Sequence, residues 1–146
     1  MKTINATLML LLCSFLAMAQ SSNAVLDAYL KVKNDLVRSE SKKTITDINT
    51  LKKAVAESDI SNKNALSKAV DKMSKSTDIE KQRNGFAEVS TLLWAVVKDD
   101  TTINHPVYYQ YCPMKKSYWI SNEADIKNPY YGNKMLTCGN VAEQTK

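Results

Sequence analysis

From Asn23 to Lys98, apolar positions recur at the three- and four-residue spacing of a helix face, in four successive stripes. Val25, Tyr29, Val32 and Leu36 make the first, with Leu26, Leu30 and Val37 beside them. Ile45, Ile48, Leu51 and Val55 make the second, and Leu66, Ala69, Val70 and Met73 a shorter third. The fourth, Ile79, Phe86, Val89, Leu93, Val96 and Val97, is the strongest. Ser39 to Ser41 turns the chain, and Ser58-Asp59-Ile60-Ser61-Asn62 separates the second stripe from the third. Thr77-x-x-Glu80 has the form of a capping box and predicts the start of the fourth helix. Four amphipathic helices with short connections predict an all-α fold, an antiparallel up-and-down four-helix bundle. Gly85 in the fourth helix costs about 1 kcal/mol relative to alanine, and close helix packing is the use expected for it.

The pattern stops after Asp99-Asp100. All three prolines, two of the three glycines and six of the seven tyrosines lie beyond residue 100. Residues 107–111, Val-Tyr-Tyr-Gln-Tyr, suit a short strand. Asn128-Pro129-Tyr130-Tyr131-Gly132 reads as a tight turn, and Glu123 with Asp125 as a helix start. The expectation is an irregular C-terminal cap with a short hairpin, packed by Trp119 and the tyrosines onto the bundle. It belongs to the same single domain, residues 20–146.

Residues 1–19 read differently. Lys2, the apolar run around Leu8–Leu12 and Phe15-Leu16, and Ala17-Met18-Ala19 form a secretory signal peptide, with cleavage expected before Gln20. The run is too short to anchor across a bilayer core of about 30 Å. Cys13 follows Leu12, whereas a lipid-attachment cysteine normally follows a small residue, so acylation there is disfavoured. A periplasmic or secreted protein without a membrane span is expected. Loss of the leader removes Lys2 and lowers the net charge from +5 to +4. The basicity is nearly all lysine, with only Arg38 and Arg83 as arginines. Nucleic-acid sites exploit the arginine fork. Lys52, Lys53, Lys63, Lys68, Lys72 and Lys75 lie instead along helical polar faces and read as a solvated surface, so no nucleic-acid partner is expected.

Candidate chemistry sits in the cap. Cys112 and Met114 are two residues apart and project to one side of an extended segment. Met135 and Cys138 are three apart and suit one face of a helical turn. Two thiols and two thioethers are the ligands a soft ion such as Cu(I) or Ag(I) prefers, whereas zinc more often recruits histidine or carboxylate. His105, the only histidine, is a further candidate ligand, set against a plainer role as a surface or capping residue. The cysteines alone equally suit a disulfide, which persists in an oxidising compartment. Closing that loop would stabilise the cap by roughly 3 kcal/mol. Met114 and Met135 would then be packing residues. No Ser/His/Asp arrangement, phosphate loop or HExxH is present, and the cysteines are not a C-x-x-C pair, so no enzyme is expected.

The tail has a specific pattern: Tyr111-Cys112-Pro113-Met114, Tyr118-Trp119-Ile120-Ser121, Asn128-Pro129-Tyr130-Tyr131-Gly132 and Met135-Leu136-Thr137-Cys138-Gly139. With Lys81-Gln82-Arg83-x-x-Phe86, it resembles an uncharacterised family of small secreted helical domains. These occur alone and appended to periplasmic adaptor subunits of copper/silver efflux pumps. The resemblance spans about residues 24 to 143. Many members carry a longer, glycine-containing insertion between the Cys-Pro-Met and the Trp, where only Lys115-Lys116-Ser117-Tyr118 intervene here. What the resemblance implies is a role near heavy-metal handling, with Cys112, Met114, Met135 and Cys138 at the positions of the Cys/Met pattern.

The expected function is binding of copper(I) or a similar soft ion, for sequestration or delivery in the periplasm. The alternative is a non-catalytic interaction domain braced by a Cys112–Cys138 disulfide. Its exposed Tyr108, Tyr109, Tyr130 and Tyr131 would dock an efflux adaptor or another envelope protein.

Overall fold

The computed structural model of the protein describes residues 22–145. The expected leader and Cys13 lie outside the described residues. Helix α1 occupies residues 22–38, followed by α2 (Ser41–Glu57), α3 (Lys63–Ser74) and α4 (Ile79–Val97). The four stripes are the buried faces of these helices. Val25, Tyr29, Val32, Leu36, Ile48, Leu51, Val55, Leu66, Val70, Phe86, Val89 and Val97 are fully enclosed in one core. Ile45, Ile79 and Val96 mark the half-buried border of the stripes. No helix among the described residues is long and apolar enough to cross a membrane.

The helix ends follow from local chemistry. Ser39 takes a left-handed conformation (φ 60°), and its N–H bonds the Leu36 carbonyl while the Glu40 N–H bonds that of Asp35. This double bond pattern closes α1 without the usual glycine. Helix α4 is capped by Asp78, whose carboxylate accepts the Lys81 N–H at 2.9 Å. The expected cap at Thr77 is thus displaced by one residue, because the aspartate holds the extended N-cap geometry and caps at least as well as threonine.

The chain is not purely helical. Strands β1 (Tyr108–Cys112), β2 (Ser117–Ser121) and β3 (Asn140–Gln144) form an antiparallel sheet in the order β2-β1-β3. The all-α expectation with at most a hairpin is corrected here. β3 is exposed along its whole length and carries no apolar alternation, so backbone pairing with β1, not side-chain burial, makes it a strand. Nor does Glu123–Asp125 start a helix. The carbonyls of Glu123, Ala124 and Asp125 instead collect around the buried Gln110 Nε2, at 2.9, 3.1 and 3.3 Å.

The sheet is joined to the helices through aromatic rings and tyrosine hydroxyls. Trp94 of α4 stacks on Tyr109 at 4.7 Å, Tyr109 on Tyr118 at 4.6 Å, and Tyr118 meets Tyr111 at 4.7 Å. The outer edge of β2 is sealed on both sides of Trp119. Tyr29 of α1 accepts the Ile120 N–H at 3.0 Å, and the Tyr130 hydroxyl donates to the Tyr118 carbonyl. A sheet edge covered in this way offers no template for another strand.

Candidate metal centre at one end of the sheet

Two motifs of the tail act as a frame for the cysteines. Arg83, only 3% exposed, donates from Nε to the Pro129 carbonyl at 2.8 Å and from Nη2 to the Leu36 carbonyl at 2.9 Å and Ser39 Oγ at 3.0 Å. Its Nη1 pairs with Glu80 at 2.7 Å. One guanidinium therefore ties α4, the end of α1 and the 128–132 turn together, which a lysine could not do with its single point charge. Gly132 (φ +55°) lets that turn approach, since a Cβ there would lie 2.7 Å from the Val37 carbonyl and 2.8 Å from Arg83 Nη2.

Asn128 then carries the frame to the thiols. Its Oδ1 accepts the Tyr130 N–H at 2.8 Å, its backbone N–H bonds the Leu136 carbonyl at 2.8 Å, and its Nδ2 donates to the Cys138 carbonyl at 2.6 Å. The next residue, Gly139 (φ +149°), packs where a Cβ would meet Trp119 Cη2 and the Tyr111 carbonyl, both at 2.8 Å. Tyr111 pairs with Asn140, so Cys138 enters β3 beside the Cys112 end of β1.

The structure brings the two cysteines together. Both are free thiols, Cys112 fully buried and Cys138 half-buried, and they lie close enough for Cys112 to perturb the Cys138 thiol. Burial, then the neighbouring Cys112, push the Cys138 thiol above its usual range. Met114 lies in the turn between β1 and β2, and Met135 lies just after the short 3-10 turn Gly132–Lys134, its carbonyl accepting the Cys138 N–H at 3.1 Å. Both methionines therefore sit at the cysteine end of the sheet, on its rim, 62% and 37% exposed. His105 is not brought to them. It precedes β1 while Cys112 ends it, and four residues of strand span about 13 Å. Among the described residues no three of His, Cys, Asp and Glu gather to hold a metal ion. The donor set is two thiols with thioethers nearby, which fits an ion content with few soft ligands and not a four-coordinate zinc.

The tyrosines do not form the expected contact surface. Tyr109 and Tyr130 are buried, at 5% and 2% exposure, and Tyr108 and Tyr131 are half-buried. Sequence pattern places Tyr29 in the first apolar stripe and Asn128 in a turn, but it does not reveal the bonds their side chains make to the edge of β2 and to the Cys138 carbonyl.

No curated protein and no solved structure matches the chain. The family match covers the helices and ends before β1, so it includes none of the four sulfur residues. Residues 25–105, more than half of the chain, fit the model of a family described as protein of unknown function (DUF3347), and the chain belongs to that family.

Proposed function

We propose that the protein binds Cu(I) or Ag(I) at Cys112 and Cys138 and serves to sequester or deliver the ion in the periplasm. The observation that carries this reading is the meeting of two thiols, 26 residues apart, at one end of the sheet. Both would bind as thiolates. Met114 and Met135, exposed on the same rim, would add thioether ligands or hand the ion in and out. Soft ions tolerate two or three ligands of this kind. The resemblance of the tail to secreted domains associated with copper/silver efflux adaptors points the same way. Such a protein carries metal and transforms no substrate.

The test is an anaerobic Cu(I) titration of the reduced protein against a chromophoric chelator. Tight one-to-one binding is expected, lost when both cysteines become serine and weakened less by Met114→Leu. Unchanged affinity in the double serine variant would remove this site.

The same adjacency of thiols favours a second reading, in which Cys112 and Cys138 form a disulfide that braces the cap of an interaction domain. The aromatic docking face once expected for it is largely buried. Thiol counting on protein purified without reductant separates the two: no free thiol and no chelator competition after reduction would favour the brace.

A further inference from the structure

We propose that the groove between α3 and α4 binds a phosphate-bearing anion. The groove has a volume of about 440 Å³ and is lined by Lys72, Lys75, Ser76, Lys81, Asn84 and Gly85. Its floor is set by Gly85, where a Cβ would lie 3.0 Å from the Met73 Cβ, so the two helices approach as closely as their backbones allow.

The lining is chemically one-sided. Lys72 has a partner in Glu88 at 3.3 Å, but Lys75 and Lys81 have no carboxylate within 4.0 Å among the described residues. The acceptors along the groove are already engaged. Asn84 Oδ1 takes the Lys115 ammonium at 3.4 Å, the Ser76 carbonyl takes Gln82 Nε2 at 3.1 Å, and Ser76 Oγ takes the Asp78 N–H at 3.2 Å. What remains for a ligand is donors: ammonium groups, the Asn84 amide N–H and the Ser76 O–H. A neutral or cationic molecule finds little to pair with there. A phosphate, all acceptor and charged, finds charge-assisted bonds on several sides. Lys115, in the turn that carries Met114, borders the groove through Asn84 but is itself paired with Glu80 at 4.0 Å, so the free cations are Lys75 and Lys81. The volume falls in the range of small-ligand sites. It suits a free oligophosphate or the head group of an anionic phospholipid.

The experiment is calorimetric titration of inorganic pyrophosphate into the protein at low salt, beside co-sedimentation with phosphatidylcholine vesicles containing phosphatidylglycerol. The variant is K75E/K81E, at two exposed positions without partners, with thermal melting to confirm that it folds. K53E/K68E, outside the groove, changes net charge equally. Saturable pyrophosphate binding at least about tenfold weaker in K75E/K81E than in K53E/K68E supports a site for free phosphates. Vesicle binding alone, lost in the same variant, supports the site with a lipid head group as its source. Binding to neither probe, or equal weakening in both variants, overturns the proposal.

Discussion

The backbone N–H of Ile120 donates to the hydroxyl oxygen of Tyr29 at 3.0 Å, across 91 residues of chain. Tyr29 also lies 2.7 Å from Ser90 Oγ, and Ser90 gives its own proton to the Phe86 carbonyl. Each hydroxyl has one proton, so the direction is fixed: Ile120 to Tyr29, Tyr29 to Ser90, Ser90 to Phe86. The first bond connects the sheet to α1, the second connects α1 to α4, and the third anchors Ser90 within α4. Burial, the first cause, raises the Tyr29 phenol well above its usual range, which keeps the donor protonated.

Tyr29→Phe strips the central link and leaves a buried amide at the β2 edge unpaired. The expected loss is about 1 to 3 kcal/mol, read from the midpoint of urea unfolding. Ser90→Ala breaks the same chain one step on. The double variant is expected to cost less than the sum of the two, because they share one network. Strict additivity would show that the bonds act separately.

Lys33 gives a pH-dependent test. Its side chain is enclosed (1% exposed), and desolvation pulls its pKa down to about 8, against the attraction of Glu123 and with a smaller push from Lys127. Between about 8 and the unfolded value near 10.5, the unfolded chain binds more protons than the native one. Stability therefore rises with pH through this window and is lost again as pH falls through 8. The rise due to Lys33 is expected to be roughly 3 kcal/mol in all. Lys33→Met should be more stable than wild type at pH 7 and lose that rise, measured by unfolding at pH 7.5 and 9.5. Equal slopes in both proteins would show that Lys33 is not the group responsible.

The helices were legible because each stripe buries one face, and periodicity reports burial directly. The sheet was legible only in part. Tyr109 and Tyr118 carry strand propensity, but β3 is held by its backbone alone and leaves no side-chain record. The tyrosines misled for a related reason: a run of amphipathic rings suits an interface or an internal stack equally, and here Trp94 of α4 turns it into a stack. The cysteine pair was legible as a pair. That His105 falls at the opposite end of β1 from Cys112 follows from reading residues 107–111 as a strand, since an extended segment holds its two ends apart.

Asn128 links the fold to the thiols. Asn128→Ala removes the bonds to the Cys138 carbonyl and the Tyr130 N–H. The cap is expected to open more often, so buried Cys112 should react with a thiol reagent about 10 to 100 times faster, matching a loss of about 1 to 3 kcal/mol. An unchanged rate would mean that Asn128 does not hold the cap closed.

Cu(I) affinity should depend on pH if thiolates are the ligands. Burial and the adjacent thiol keep Cys138 protonated beyond the ordinary range, so the ion must displace protons to bind. Apparent affinity is expected to rise up to about tenfold per pH unit for each proton released between pH 6 and 8. A flat profile in chelator competition would point to thioethers alone.

Arg83 joins Leu36 to Pro129, so a single side chain couples the bundle to the cap. Arg83 holds α4 to the end of α1 across 47 residues and to the 128–132 turn across 46, and Tyr29 reaches the edge of β2 across 91. Distant contacts form slowly and repay their entropy only when the surfaces they join already exist. The frame around the two thiols therefore reaches back into the helices: Arg83 fixes the turn that carries Asn128, and Asn128 fixes the backbone at Cys138.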